Sequence, residues 1–198
     1  MPQHDFMDGA GPVPAHQHAN GGGWVADTAQ VDASAFVDTD AQVYGNAQVS
    51  GNAQVFGKAQ VYDSAQVHDT VQVFGDAQVY SDAQVRENAK VFDSASVSGD
   101  AQVSGDAQVF GKAWVLGNAE VSDDAEVYDN AGVFENAKVL DNARVYGNAQ
   151  VFGDVQVLDN AQVSGDAEVY GAAVVHEDAQ VFDYAQVYGN AEVFGGAQ

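Results

Sequence analysis

Every sixth residue from Val25 to Val193 is valine: 29 positions in succession with no exception, insertion or deletion. A short fixed period of this kind admits only folds that repeat one local conformation along an axis. Four residues after each valine stands alanine, replaced by valine only at Val71 and Val155. Between them lies a punctuation pair, with Gly, Asp or Glu at most third positions of the hexapeptide and Asn or Asp at 19 of 29 fourth positions. The unit is V-x-G-N-A-Q. Its A-Q-V-x part alternates in, out, in, out, the period-two pattern of a short strand. Its G-N part is a corner, because Gly, Asn and Asp tolerate the left-handed backbone of a sharp turn. One small and one branched inward side chain per hexapeptide leave a narrow core. Three strands closing into a triangular coil, with coils stacked as parallel sheets, bury both.

That geometry makes residues 18 apart stacked neighbours, and the outward slot after each valine obeys the same period. One face reads Tyr44, Tyr62, Tyr80, Ser98, Leu116, Phe134, Phe152, Tyr170, Tyr188. A second reads Ser50, His68, Arg86, Ser104, Ser122, Leu140, Leu158, His176, Phe194. The third reads Phe56, Phe74, Phe92, Phe110, Tyr128, Tyr146, Ser164, Phe182. Fifteen aromatics occupy this slot and 14 of them fall on faces one and three, so three faces per coil is a reading of the chain itself. The prediction is an all-β fold, a triangular β-solenoid of just under ten 18-residue coils, about 45 Å long at ~4.8 Å per coil. Residues 24–198 form it, and residues 1–23 form a non-repeat N-terminal arm.

The V-x-G-N-A-Q unit resembles the hexapeptide-repeat superfamily of left-handed parallel β-helices. That superfamily includes bacterial acyltransferases and γ-class carbonic anhydrases, commonly as trimers. The resemblance covers residues 25–198 and implies the left-handed sense, which spacing alone does not set. The Asn-Ala spelling, with "GGGWVADTA" at the entrance, is similar to non-catalytic Asn-Ala-x-Val repeat proteins of bacteria and phages.

Family enzymes hold a catalytic or metal-binding histidine beside loops that leave the helix. Here the register never breaks. The repeat region holds only His68 and His176, 108 residues and therefore six coils apart. Six coils span roughly 29 Å, too far for one metal ion whose ligands all lie ~2 Å from it. No Gly-rich phosphate loop runs from a strand into a helix, and no serine has a plausible base partner. The expectation is no enzymatic activity and no required cofactor. Ice-binding solenoids present rows of threonine, whereas this chain has only Thr28, Thr39 and Thr70.

Six basic against 29 acidic residues give a net charge of −23. Nucleic acid and anionic membrane are excluded as partners, since both are held largely by Lys and Arg; the bland reading of the charge is solubility. No apolar run approaches the ~18 residues of a membrane span. The N-terminus lacks the basic end and apolar segment of a secretory signal. There is no cysteine, hence no disulfide framework and no thiolate metal site.

The outward slot before each valine is most often Gln, forming amide ladders that stiffen a rod. Faces one and three carry an interface set of Tyr44, Phe56, Tyr62, Phe74, Tyr80, Phe92, Phe110, Tyr128, Phe134, Tyr146, Phe152, Tyr170, Phe182 and Tyr188. Stacking of rings from coil to coil is one use for them; two exposed apolar faces also suit a partner. The corner joining face three to face one carries six acids offset by Lys58 and Lys112, whereas the corner after the polar face carries nine acids and no lysine. A parallel homotrimer packed around the milder corner follows, face one of each chain against face three of its neighbour.

Asp123, Asp141, Asp159 and Glu177 occupy one corner position in four successive coils. Either solvent and salt screen them, or a Ca²⁺ ion lies between them. In the arm, Gly9, Gly11, Pro12, Pro14 and Gly21-Gly22-Gly23 mark an extended or flexible segment. Within it, His16 and His18 at i and i+2 of an extended chain can face one point. This is similar to the His-x-His iron sites of trimeric phage tail spikes and fibres, and implies Fe or Zn there; a solvated pair is the alternative. Trp24 is expected to cap the first coil's apolar end. The final "AEVFGGAQ" stops inside a repeat, so an uncapped coil there would recruit another chain end to end unless its own charge and glycine blunt it. The resulting expectation is a structural protein, a stiff acidic rod acting as fibre, spike or spacer in a virion, such as a phage tail fibre, or in an extracellular or cell-surface assembly, synthesised in the cytoplasm. A glycan- or protein-binding module is the alternative, and an acyltransferase the third reading.

Overall fold

The structure is a computed structural model and describes residues 2–197. Thirty-one short strands are found among the described residues, nearly all of them two-residue strands ending at the repeat valine, such as Gln60–Val61. They form three sheets of 12, 10 and 9 strands. Every strand of the repeat pairs in parallel with the strand 18 residues away, Val43 with Val61 and Val61 with Val79, so each coil spends one hexapeptide on each sheet. The result is an all-β solenoid of nine complete turns and part of a tenth. Sheet one carries Tyr44, sheet two Ser50 and sheet three Phe56, in agreement with the three faces inferred from the period.

The ladder is closed by the backbone alone. Tyr62 N–H donates to the Val79 carbonyl at 3.0 Å and Gln60 N–H to the Ala77 carbonyl at 3.0 Å. Corners join the same scheme, with Asn52 N–H donating to the Asp69 carbonyl at 2.7 Å. Interior strands and corners therefore leave few backbone groups orphaned, the condition for burying so much irregular chain. Inside runs a single column of alanine and valine, fully buried from Ala35 to Ala179. Val71 and Val155 fill alanine slots at no exposure, so the core accepts a branched side chain there.

From Gly45 onward the third residue of each hexapeptide is the corner residue proper, and it adopts positive φ whether or not it is glycine. Gly45 has φ 68°, and an added Cβ there would lie 2.7 Å from the Asp63 backbone nitrogen. Asp63 itself sits at φ 58°, Glu87 at 65° and Asp141 at 60°. Aspartate tolerates this region because its short polar side chain can bond locally; the glutamates need a further reason.

The arm is not free. Gln3–His4 (β1) pairs antiparallel with Val13–Gln17 (β2), and β2 pairs antiparallel with Trp24–Ala26 (β3), the first strand of sheet one. The glycines thought to loosen this segment turn it instead: Gly9, Gly11, Gly21 and Gly22 all have positive φ. The chain then covers the edge of sheet three. Val37 N–H donates to the Asn20 carbonyl at 3.0 Å, and Gly23 N–H to the Val37 carbonyl at 2.9 Å. Trp24 does not cap the core end; it lies on the outer surface of sheet one, stacked on His4 at 4.4 Å.

Candidate functional site

The outer surface is organised as columns. On sheet three, Phe56, Phe74, Phe92, Phe110, Tyr128 and Tyr146 form one unbroken stack with centroids 4.8–5.0 Å apart and planes within 6°. The spacing is the strand spacing, so the backbone sets the ring contact. On sheet one, Tyr44, Tyr62 and Tyr80 stack at 4.9 Å, and Phe152, Tyr170 and Tyr188 at 5.2 and 5.5 Å. The interface set is thus placed on two columns as the period requires. Within each stack every inner ring has both faces covered by its own chain and offers its neighbours an edge. Tyr44 is withdrawn further, because Phe6 of the arm stacks on it at 4.8 Å and leaves it 7 % exposed. Phe182 and Tyr188, in the last coils, are 40 % and 60 % exposed.

Sheet one is interrupted between the two stacks. Ser98 and Leu116 replace rings there, and Phe134 folds back over its own strand, where a Cβ on Gly132 would lie 2.1 Å from the ring. Gly132 is therefore the residue that admits this rotamer. Trp114, paired in register with Gly132 and Ser96, is 52 % exposed.

Stacking also shapes the phenols. Burial, together with the neighbouring Tyr80, pushes the Tyr62 hydroxyl up to about 12. Burial likewise raises Tyr44, with Tyr62 and Asp8 adding to it, and Tyr128, with Tyr146 adding to it.

The acidic corner has a partner that sequence reasoning did not consider. Asp123, Asp141 and Asp159 each reach along the axis to the backbone of the same corner in the next coil. Asp141 N–H donates to Asp123 Oδ2 at 3.4 Å, Asp159 N–H to Asp141 Oδ2 at 3.2 Å and Glu177 N–H to Asp159 Oδ2 at 2.9 Å. The same bond joins Gly105 N–H to Glu87 Oε2 at 2.7 Å, which supplies a reason for the left-handed backbone at Glu87. Backbone amides thus stand beside screening and Ca²⁺ as the counterpart of these charges. The fourth residue adds a second ladder, with Asn118 Nδ2 donating to Asn136 Oδ1 at 3.0 Å and Asn136 Nδ2 to Asp154 Oδ1 at 2.9 Å. The signal was present as Asn and Asp repeated at 18-residue spacing.

The histidines are dispersed. His16 Nδ1 pairs with Asp27 Oδ1 at 2.9 Å, whereas His18 Nε2 contacts the Ala35 carbonyl at 3.0 Å and is buried. The two rings of the H-x-H pair thus have different protein partners. His68 contacts Ser50 Oγ at 2.7 Å, so one serine does stand beside a base, contrary to the expectation from the sequence, and His176 contacts Glu192 Oε1 at 3.1 Å. Among the described residues no group of three or more His, Cys, Asp or Glu is placed to hold a metal ion. Among them, too, no helix is long and apolar enough to cross a membrane.

Parallel coils of 18 residues, three sheets and an interior of alanine and valine define a β-solenoid repeat protein. The family model described as YdcK Beta solenoid repeat matches residues 41–57, 47–63 and 161–177. The first two matches are offset by one hexapeptide, the same step that carries the chain from one sheet to the next. No curated protein matches the chain.

Proposed function

We propose that the protein is a structural rod, a stiff acidic spacer, fibre or spike segment in a virion or cell-surface assembly. One observation carries this reading: the ring stacks of sheets one and three and the corner ladders bind coil to coil. Rings stack on rings, amides bond to amides and carboxylates bond to the next coil's backbone, along an uninterrupted register. Such a surface resists bending. Glycan recognition through aromatic platforms fits less well, because a sugar packs on a ring face and the inner ring faces are covered.

The rod is proposed to work as a parallel homotrimer, with ring edges of sheets one and three meeting around the corner that carries Lys58 and Lys112. Tyr44 stands outside this contact, being covered by the arm. Placement among bacterial and phage repeat proteins, with a left-handed coil, belongs to the same proposal and rests on the resemblance of the repeat. Sedimentation equilibrium tests the assembly: three chains of 20.7 kDa give about 62 kDa. A mass near 20.7 kDa at all concentrations would remove the trimer.

A further inference from the structure

The hairpin of the arm does more than close sheet edges. Between its tip and the first corner of sheet one it leaves a cavity of about 330 Å³. That is the lower end of the volumes, roughly 300–1,000 Å³, that hold small molecules. Phe6, Val13, Pro14 and Tyr44 form its apolar wall, and Asp8 and Asp27 bring two carboxylates to it. Each acid is held by one oxygen: Asp8 Oδ1 accepts from Ala10 N–H at 2.8 Å, and Asp27 Oδ1 faces His16 Nδ1 at 2.9 Å. The second oxygen of each has no hydrogen-bond partner among the described residues.

Charge at this end is unbalanced. Residues 1–57 contain no lysine or arginine, yet Asp5, Asp8, Asp27, Asp32, Asp38 and Asp40 all lie within them. Corner acids such as Asp63, Asp69 and Asp141 bond to the next coil's amide, whereas Asp8 and Asp27 line an apolar hollow. A cavity that is apolar on one side and anionic on the other complements a molecule with an apolar body and a positive head. We propose that this cavity is a binding site for a small organic cation, its ammonium shared by Asp8 and Asp27 and its apolar body laid against Phe6, Val13 and Pro14. Tyr44 adds a neutral hydroxyl, since its phenol keeps its proton well above the ordinary range. The site is independent of the rod reading, because it belongs to the arm and the first coil alone.

The test uses the full chain, amide chemical shifts, and phenethylammonium chloride with phenethyl alcohol as the uncharged isostere. Saturable shifts at Asp8, Ala26 and Gly45 are expected with the ammonium, and binding about tenfold weaker or more with the alcohol, as loss of a charge-assisted contact implies. Asp8→Asn and Asp27→Asn are each expected to weaken the ammonium by a similar factor. Asp8 is exposed and Asp27→Asn also removes the His16 pair, so Asp8→Asn remains decisive if the second variant loosens the hairpin. Equal binding of the alcohol, an unchanged Asp8→Asn variant, or ammonium shifts of the same size at Asp141 and Asp159 would each overturn the proposal. The last result would show only diffuse attraction to an acidic rod.

Discussion

Asp141 shows how one side chain does two jobs at a corner. It holds a left-handed backbone at φ 60°, and it accepts the N–H of Asp159 from the next coil at 3.2 Å. Asp141→Ala loses both and should cost about 1–2 kcal/mol, the penalty for an ordinary residue in that region. Asp141→Gly, which keeps the backbone free, should lose less, and chemical denaturation of the two variants checks the order. A bound Ca²⁺ would act on the same residues, so thermal melts with Ca²⁺ and with a chelator should coincide if the amides are the main partners. Gly132→Ala places a methyl where the Phe134 ring lies, so the ring must move; a changed Phe134 environment by NMR is the expected sign. The Ala-Val core and the corner positions were legible from the sequence because a period of six allows a single inside. The carboxylate-to-amide bonds were not, because the repeat spelling places like charges 18 apart without showing that each points at a backbone donor. His16 and His18 mark a different limit, since two residues of alternation cannot say that the second ring turns to the Ala35 carbonyl.

At the scale of elements, the aromatic columns bind coils together where a two-residue strand contributes few backbone bonds. Phe92→Ala removes two ring contacts, to Phe74 and Phe110, and should cost about 1–3 kcal/mol. Denaturant melts would show it as a lower midpoint. The tyrosine column also makes stability depend on alkali. Unfolded phenols ionise near pH 10, while Tyr62 in the fold holds its proton to about 12 and Tyr44 and Tyr128 are raised as well. Between those values the unfolded chain has released protons that the folded chain keeps, so stability is full below about pH 10 and falls as pH rises. Thermal melts at about pH 9 and about pH 11 measure the loss, and Tyr62→Phe should make it smaller. The hairpin was the element least legible in advance. Val13–Gln17 is short and contains Pro14, and its strand character comes from antiparallel pairing with Trp24–Ala26, which no local pattern announces.

For the whole molecule, parallel strands stacked 18 residues apart make a quasi-one-dimensional object whose coils answer mainly to their neighbours. A net charge of −23 on such a rod opposes both folding and side-by-side packing, so added salt should raise the melting temperature and favour association. The outer columns are proposed to serve the rod and its packing. Electron microscopy of the assembly isolated from its source tests this most directly. Straight rods are expected, in which sheets one and three of neighbouring chains face each other and sheet two faces solvent. Isolated single solenoids, with their aromatic columns open to solvent, would contradict it.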